Sequence, residues 1–494
     1  MSNGMLPDYV SMAKPNPPGN RAPWYKNTAP TYAGIFLWFV FWNKMASGGA
    51  DAAGGVLGQG LGTALLGLVV AALLCHFLFY LVPGLFGLKT GLPLYVVGTS
   101  TYGVQGGFLM PGFLMGILQF GWLGVNAYYS SKALAPLFGG SQAVQIVIAI
   151  LWAAVAAFVG LKGIQYVAKV ATFLPLIPLV ILVVMLGKTM GGIGDFSAEK
   201  LVAATTVEGG AAGLSVFGVI ALCITYVVGF FATAGAAGVD FGTNSKDEKD
   251  VQMGGLFGIA LAGIVAGGAA ILIAAGAFGK GLDAGLDTAS TSFMGAVMGS
   301  EGAGNTMGLL LAIAAFPPAC FSSFIAANSF KTTLPKVDPF ISVGVGTAVS
   351  ILLAVTGWAG DVESVFFVIG AAFGPVCGAM MVDYFLSGKQ WAGPRAGWNL
   401  AGWISWVVGF GVGMAPLVKI ADIPAAPLMA FIVGAVLYFI LAKAGLESKV
   451  LSMAPAPAEA APEPAAGEAK ASEPEEEAEA AEPEEEAEGE EPSE

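Results

Sequence analysis

The stretch GVQGGFLMPGFLMGILQFGWLGVNAYY, residues 103–129, decides how this chain folds. It is apolar over more than the roughly 20 residues that a helix needs to cross a bilayer. Near its middle stand Gln119, Trp122 and Asn126, whose spacings of three and four place them on one face of a helix. Either the amides bond to neighbouring helices while Trp122 packs, or the three side chains line a site for a flat, polar small molecule with the indole as a stacking platform.

The composition indicates a protein that crosses a membrane many times. Of the 494 residues, 56% are hydrophobic and 11% are charged, whereas soluble proteins carry about 25% charged residues. Most of the net charge of -13 lies in residues 453–494, which hold 16 Glu and one Lys. A segment of Pro, Ala and Glu cannot bury enough apolar surface to fold. We therefore expect an acidic, disordered tail, for which the sequence identifies no protein partner.

The residues that a catalytic or metal site would need are scarce. The single histidine, His76, lies in an apolar run, and the four cysteines show no paired spacing, so they are expected to be small buried residues. Acidic residues such as Asp383, after span ten, are typical of helix ends. We predict that the protein is not an enzyme and binds neither a cofactor nor nucleic acid, and that its partners are a small molecule and the lipid bilayer.

Apolar runs of about 20 residues predict an all-α protein with twelve transmembrane helices. These spans lie near residues 31–49, 59–86, 107–130, 142–160, 166–187, 213–235, 254–278, 306–329, 340–358, 362–386, 399–418 and 425–444. If the N-terminus is inside, most Lys and Arg residues fall on the cytoplasmic side, as the positive-inside rule requires. The predicted organisation is a cytoplasmic segment (1–30), a twelve-helix membrane domain (31–445) and the tail (453–494), with both termini cytoplasmic and a bacterial inner membrane as the location.

Polar residues interrupt the first span. We expect the helix to break near Trp42 and Asn43, since Lys44 follows and residues 47–49 are Ser-Gly-Gly. A lysine inside a span must be paired, hydrated or neutral, so it indicates function by default. The alternative is a structural pair with Asp51, two turns further along the same face.

The sixth span contains Gly229 before Phe230 and Phe231, followed by a run of small residues. This pattern suits an unwound segment with an aromatic wall, and packing by small residues explains it nearly as well. Interruptions in spans one and six, five spans apart, are typical of an inverted-repeat transporter with its site near the midplane of the membrane. The last two helices then lie outside the repeat.

The eighth span carries Pro317 and Pro318, which are expected to loosen the helix, and then the adjacent hydroxyls of Ser322 and Ser323. Asn328 follows five to six residues later. Hydroxyls beside freed carbonyls form a hard-oxygen site of the kind that suits sodium. The alternative is that the hydroxyls bond to carbonyls one turn earlier, as is common in membrane helices.

The run KTGLPLYVVGTSTYGVQGGFLMPGFLMGILQFGWLGVNAYY, residues 89–129, resembles the second-to-third-span region of the nucleobase:cation symporter family, also called the purine/cytosine permease family. It is most similar to the cytosine-permease branch. The motifs SGG after span one, VVGFF and VDFG in span six and DYFL after span ten extend the resemblance over about residues 30–445. The resemblance implies the fold of the amino acid-polyamine-cation superfamily, a five-plus-five inverted repeat with two extra helices, and import of nucleobases or related heterocycles with sodium or protons.

The resemblance also implies site residues. Trp122 matches the stacking tryptophan of span three, Gln119 a substrate-contacting glutamine of the cytosine branch, and Asn126 an amide of the hydantoin branch. Phe230 and Phe231, after Gly229, lie where the family places a second aromatic residue. The pattern SSFIAAN implies Ala319 (through its carbonyl), Ser322 and Ser323 as sodium ligands and Asn328 as a substrate ligand.

Three departures from the family pattern bear on function. Relatives often have arginine where Thr99 stands, and another shortly after the aspartate matched by Asp240. Lys44 stands where relatives have small or uncharged residues. Its ammonium group would then act as a built-in cation in place of sodium, with transport coupled to protons or uncoupled.

These observations predict a secondary active transporter that imports a planar nucleobase, cytosine or a purine, by alternating access. One alternative is a permease for another heterocycle or an amino acid on the same fold, with Asn43 and Lys44 anchoring a carboxylate. Another is a transporter-derived sensor or scaffold that signals through the acidic tail.

Overall fold

The computed structural model describes residues 6–47, 52–171, 173–206, 212–282 and 286–453. Within these ranges the secondary structure is helical, with two isolated bridges and no strand. The acidic tail lies outside the described residues, apart from Met453. So do Gly48, Gly49 and Asp51, and with them the proposed pairing of Lys44 with Asp51.

Thirteen helical segments form the body of the protein. They are α1 (Thr28–Phe36), α2 (Phe39–Ser47), α3 (Gly60–Thr90), α4 (Phe108–Phe138), α5 (Gln142–Lys162), α6 (Leu176–Asp195), α7 (Val216–Ala236), α8 (Glu248–Gly279), α9 (Glu301–Thr333), α10 (Pro339–Val355), α11 (Val362–Leu386), α12 (Leu400–Met414) and α13 (Ala426–Lys443). Shorter helices are Asp8–Ser11, Leu94–Val97, Thr99–Tyr102, Ile164–Ala171, Ala198–Thr205, Gly238–Gly242 and Thr291–Met298.

Among the described helices, nine are long and apolar enough to cross a membrane, namely α3 to α9, α11 and α13. The apolar helices α10 and α12 are shorter, and the predicted first span is divided into α1 and α2. The expectation of an all-helical membrane protein is confirmed, while the number of twelve crossings stays a prediction.

Side chains cap the start of several long helices. A cap oxygen accepts a hydrogen bond from a first-turn backbone N–H that has no partner inside the helix. The capping residues are Ser141 for α5, Ser215 for α7, Ser300 for α9, Asp338 for α10 and Asp361 for α11. The caps help to explain where these apolar segments begin, since each satisfies a first-turn N–H that the helix itself cannot pair.

The first span breaks earlier than the sequence predicts. The interruption lies at Leu37 and Trp38, between α1 and α2, while Trp42 and Asn43 lie inside α2, so the predicted position is wrong. The Trp42 indole donates to the Leu37 carbonyl at 3.2 Å and so satisfies a backbone oxygen at the break. Asn43 does not interrupt the helix because its side-chain oxygen accepts from the backbone N–H of Ala289 at 3.3 Å.

Of the two explanations that the sequence left open for span six, unwinding and packing by small residues, the structure shows packing at Gly229. Helix α7 continues from Val216 to Ala236, and the short helix Gly238–Gly242 follows a turn at Ala237. Gly229 serves close packing instead, because a side chain there would come within 2.7 Å of the Phe366 carbonyl of α11. Small residues allow such close approach of membrane helices.

Span eight does not loosen at its prolines. Pro317 and Pro318 lie inside the continuous helix α9, contrary to the prediction. Neighbouring helices support proline-containing membrane helices by bonding to their backbone. The prolines leave the carbonyls of Ile313 and Ala314 without their helical donors. Just after these, the Asn126 side chain of α4 donates to the Ala315 carbonyl at 2.9 Å and joins α9 to α4.

A buried cluster of charged and polar groups fastens the last helices to the rest. We call it the arginine cluster, and its members are Asp383 of α11, Arg395, Tyr438 of α13, Glu447 and Ser100. Arg395 lies 2.8 Å from a carboxylate oxygen of Asp383 and 2.7 Å from one of Glu447. Tyr438 donates to Asp383 at 3.1 Å and Ser100 donates to its other carboxylate oxygen at 2.5 Å.

Candidate substrate site

Four aromatic rings meet beside the break of the first span. We call them the aromatic cage: Trp38 from the break, Trp122 of α4, Phe230 of α7 and Phe366 of α11. The centroid of Trp122 lies 5.4 Å from Phe230, 5.8 Å from Trp38 and 5.9 Å from Phe366. A cluster of rings from separate helices gives both an apolar pocket wall and faces on which a flat molecule can stack.

The two phenylalanines of span six have different surroundings. Phe230 adjoins Trp122, and Phe41 packs against it at 5.0 Å. Phe231 is stacked on Phe36 at 5.6 Å with an interplanar angle of 15° and is fully buried. Of the two predicted residues, Phe230 therefore belongs to the cage and Phe231 to the packing behind it.

Gln119 and Trp122 lie on the same side of α4 but differ in their hydrogen bonds. The Trp122 indole donates to the Thr233 hydroxyl of α7 at 3.3 Å. The Gln119 side chain, 7% exposed, has a weak contact of 3.6 Å with the Met115 sulfur of its own helix. Among the described residues its amide is not tied to another helix, and it remains free to bond to a ligand.

Asn126, in contrast, joins three helices. Its amide nitrogen donates to Ala315 of α9, and its oxygen accepts from the Trp152 indole of α5 at 2.9 Å and from Ser130 at 3.2 Å. The side chain is 2% exposed. The sequence left open whether this amide bonds to helices or to a ligand, and in this conformation it bonds to helices.

Asn328 lies apart from the cage. It is exposed, and the adjacent Ser329 donates to the backbone carbonyl of Gly112, near the start of α4. In the part of the chain that the structure describes, no ring contact or side-chain hydrogen bond joins Asn328 to Trp122 or Phe230. A role for Asn328 in binding would require another conformation.

The predicted cation ligands lie inside α9. Ala319, Ser322 and Ser323 are all buried. The Ser323 hydroxyl is enclosed and has no hydrogen-bond partner among the described residues. It faces α5, since a side chain on Gly160 would lie 3.0 Å from the Ser323 Cβ. A hydroxyl without a protein partner has free lone pairs, which could coordinate a cation.

Lys44 lies elsewhere. Its ammonium nitrogen is 5.9 Å from the ring centroid of Tyr129, which follows Trp122 by seven residues or about 10 Å along α4. The charged groups that act on it are Asp287, Lys132, Glu363 and Asp361. None of the contacts of Lys44 among the described residues involves Ser322 or Ser323, so its role as a built-in cation stays a prediction.

Two residues of the cage, Trp38 and Phe366, are not among the site residues that the sequence predicts. Leu37 and Trp38 contain no residue that breaks helices, so the sequence carries no local signal for the interruption. The feature of the sequence that marks this position is a pair of tryptophans, Trp38 and Trp42, four residues apart. One of them lies in the cage while the other bonds to the carbonyl at the break.

Comparison with known proteins identifies the family. Residues 26–396 match the model of a family described as permease for cytosine/purines, uracil, thiamine, allantoin. The chain belongs to this family. The expectations of a nucleobase:cation symporter relative, of a secondary active nucleobase transporter and of a protein that is not an enzyme are thereby confirmed. No curated protein matches the sequence.

Solved structures show the same fold at low identity. Mhp1, a nucleobase-cation-symport-1 family transporter in a closed conformation with bromovinylhydantoin bound, is 17% identical with a TM-score of 0.58 over 89% of this chain and 97% of that chain. Inward-facing Mhp1 is 17% identical, with a TM-score of 0.57 over 88% of this chain and 96% of that chain. A substrate-bound, outward-open Na+-coupled sialic acid symporter is 14% identical, with a TM-score of 0.55 over 90% of this chain and 93% of that chain.

Proposed function

We propose that this permease imports a planar nucleobase, with cytosine or a purine as the first candidates, by alternating access. The proposal rests on the aromatic cage, because two indoles and two phenyl rings from four separate segments meet beside the broken first span, with Trp122 in contact with the other three. Stacking of a base on an aromatic side chain contributes about 1–3 kcal/mol, which makes such rings the main source of affinity.

In the proposed complex the base lies against Trp122. The Trp122 and Phe230 rings stand at 83° with centroids 5.4 Å apart, which is too close for a base to lie between them. Binding therefore requires one of the two rings to rotate. Gln119 is the amide best placed to bond to the edge of the base, since its side chain is not tied to another helix.

In this proposal neither Asn126 nor Asn328 contacts the base in the conformation that the structure shows. Asn126 would have to give up its bonds to Ala315 and Trp152 before it could bind a base. Its proposed contribution is to hold α4, α5 and α9 together around the site. Asn328 would contact the base only in a state in which α9 has moved relative to α4.

Coupling is proposed to use sodium held by the Ala319 carbonyl and the Ser322 and Ser323 hydroxyls, with protons as the alternative. The partnerless hydroxyl of Ser323 supports this assignment. A coupling ion favours one state of the transporter only by binding it more tightly than the other. We further propose a bacterial inner membrane as the location, with both termini in the cytoplasm, from the distribution of Lys and Arg.

The amino-acid permease alternative has less support. Its carboxylate anchor required Asn43 and Lys44 at the break, but Asn43 bonds to Ala289 and the Lys44 ammonium group lies over the ring of Tyr129. The sensor alternative depends on the acidic tail. Deleting residues 454–494 separates it from a transporter, because a transporter body retains its uptake without the tail.

The test is uptake of labelled cytosine by proteoliposomes that contain the purified protein, with and without a sodium gradient. Unlabelled adenine, uracil, hydantoin and amino acids serve as competitors. The proposal expects inhibition by at least one nucleobase and none by amino acids. Uptake of amino acids, or no uptake of any base under either gradient, contradicts it.

A further inference from the structure

The feature that the proposed site leaves unexplained is the indole N–H of Trp38. The ring lies in the aromatic cage, 5.8 Å from Trp122 and 6.2 Å from Phe230. Its nitrogen is enclosed, yet no residue in the described ranges accepts a hydrogen bond from it. A buried donor without an acceptor lowers the stability of a folded protein, so native structures rarely retain one without a reason.

The other enclosed indoles show that the fold can supply acceptors. Trp122, in the same cage, donates to Thr233, and Trp42 donates to the carbonyl at the break. Four further indoles donate to Asn126 and to the backbone carbonyls of Val97, Tyr102 and Ala372. Trp38 is thus the exception among the described enclosed indoles, and it stands in the cage.

The orientation of Trp38 suits contact with the edge of a flat ligand. Its ring is inclined at 69° to the ring of Trp122. A base stacked on Trp122 is parallel to that indole and presents its edge, where its acceptors lie, to a neighbouring ring that stands nearly upright. The backbone at Leu37 and Trp38 is outside both helices, so the indole can adjust without distorting either one.

We propose that the Trp38 N–H donates a hydrogen bond to an acceptor on the edge of the bound base, and that Trp38 is therefore a specificity-determining residue. The inference rests on the proposed function and deepens it. The accepted ligands are planar heterocycles with a carbonyl oxygen or an unprotonated ring nitrogen at that edge. A flat ring of the same size without a strong acceptor there would leave the N–H unpaired and bind less tightly.

The test compares wild-type protein with Trp38→Phe, which retains an aromatic ring but removes the N–H. The matched control is Trp358→Phe, because Trp358 is 74% exposed and lies outside the cage. Thermal unfolding of the purified variants checks that each is folded. The probes are uracil, 2-thiouracil and 4-thiouracil, added as competitors against labelled cytosine, because sulfur is a much weaker acceptor than oxygen.

The expected result is that wild-type protein prefers uracil over one of the two thio analogues by about fivefold to tenfold. In Trp38→Phe the affinity for uracil falls by a similar factor and the preference disappears, while Trp358→Phe behaves like wild type. An equal loss for all three ligands would show that Trp38 only packs, and no change would show that it does not touch the base. Either result overturns the inference. Failure of wild-type protein to bind any base is a separate outcome, which overturns the proposed function and this inference with it.

Discussion

The aromatic cage and the arginine cluster both lie largely inside the protein, but they differ in whether their polar groups have hydrogen-bond partners. In the arginine cluster Asp383 accepts from Arg395, Tyr438 and Ser100, and Glu447 accepts from Arg395. In the cage an indole N–H lies enclosed without an acceptor among the described residues. The cluster thus joins helices through paired groups, whereas the cage keeps an unpaired donor, which under the proposed function is available to the ligand.

The largest effect is expected from Arg395→Met. It leaves two carboxylates without their cation, one of them the almost fully buried Asp383, and removing one partner of a buried ion pair costs about 3–5 kcal/mol. We expect a large fall in the thermal unfolding temperature of the purified protein. The control is Glu248→Gln, which breaks the exposed pair of Lys89 and Glu248 and is expected to cost less than about 1 kcal/mol. Equal unfolding temperatures for the two variants would refute the structural role of the cluster.

Trp122→Ala tests whether the cage contributes more to ligand binding than to stability. We expect base affinity to fall by about 5- to 150-fold, since the lost stacking contributes about 1–3 kcal/mol. The loss of stability should be smaller than in Arg395→Met, because Trp122 is only partly buried. Equilibrium binding of labelled cytosine and thermal unfolding are measured on the same preparation, with Trp358→Ala as the control. A well-folded Trp122→Ala protein with unchanged affinity would exclude the cage as the site.

The two amides of α4, Asn126 and Gln119, are expected to differ in what their substitution changes, stability in one case and binding in the other. Asn126→Leu should cost about 1–3 kcal/mol of stability, because it leaves the Ala315 carbonyl and the Trp152 indole without their partner. Gln119→Leu should leave stability nearly unchanged and weaken base binding several-fold. Unfolding and binding measurements on both variants give the pattern, and the reverse pattern would assign the ligand-binding role to Asn126.

Ser323→Ala is expected to have the smallest effect on stability, since its hydroxyl has no described partner to lose. If sodium binds there, the variant loses most of the dependence of base affinity on sodium concentration while its affinity without sodium is retained. The measurement is a binding curve at several sodium concentrations with potassium as the balancing ion. A wild-type sodium dependence that persists in Ser323→Ala contradicts the assignment.

Much of the fold could be predicted from the sequence, because apolar runs of span length leave few choices in a bilayer. Among the described residues each of the twelve predicted ranges contains helical structure, although the first and the fifth are each divided between two helices. The breaks could not be located in this way. Asn43 and Lys44 suggested an interruption, but their polarity serves contacts with other parts of the chain, and the helix instead breaks at Leu37 and Trp38, where no helix-breaking residue occurs.

The site was predictable only in part, for a similar reason. The face formed by Gln119, Trp122 and Asn126 follows from helical spacing alone, and Trp122 does lie in the cage. Whether an amide bonds to a helix or to a ligand depends on its tertiary neighbours, and Asn126 finds them in Ala315 and Trp152. The pairing of Asp383 with Arg395 and Tyr438 was likewise hidden, since the sequence suggested only an acidic residue at a helix end.

Whether the aromatic cage binds a nucleobase can be measured by equilibrium binding of labelled cytosine to the purified wild-type protein, with adenine, uracil, hydantoin and amino acids as competitors, with and without sodium. We expect that at least one nucleobase competes, that amino acids do not, and that sodium tightens the binding. Binding of no nucleobase under either condition would contradict the assignment of the aromatic cage as a nucleobase site, while the transporter fold would stand.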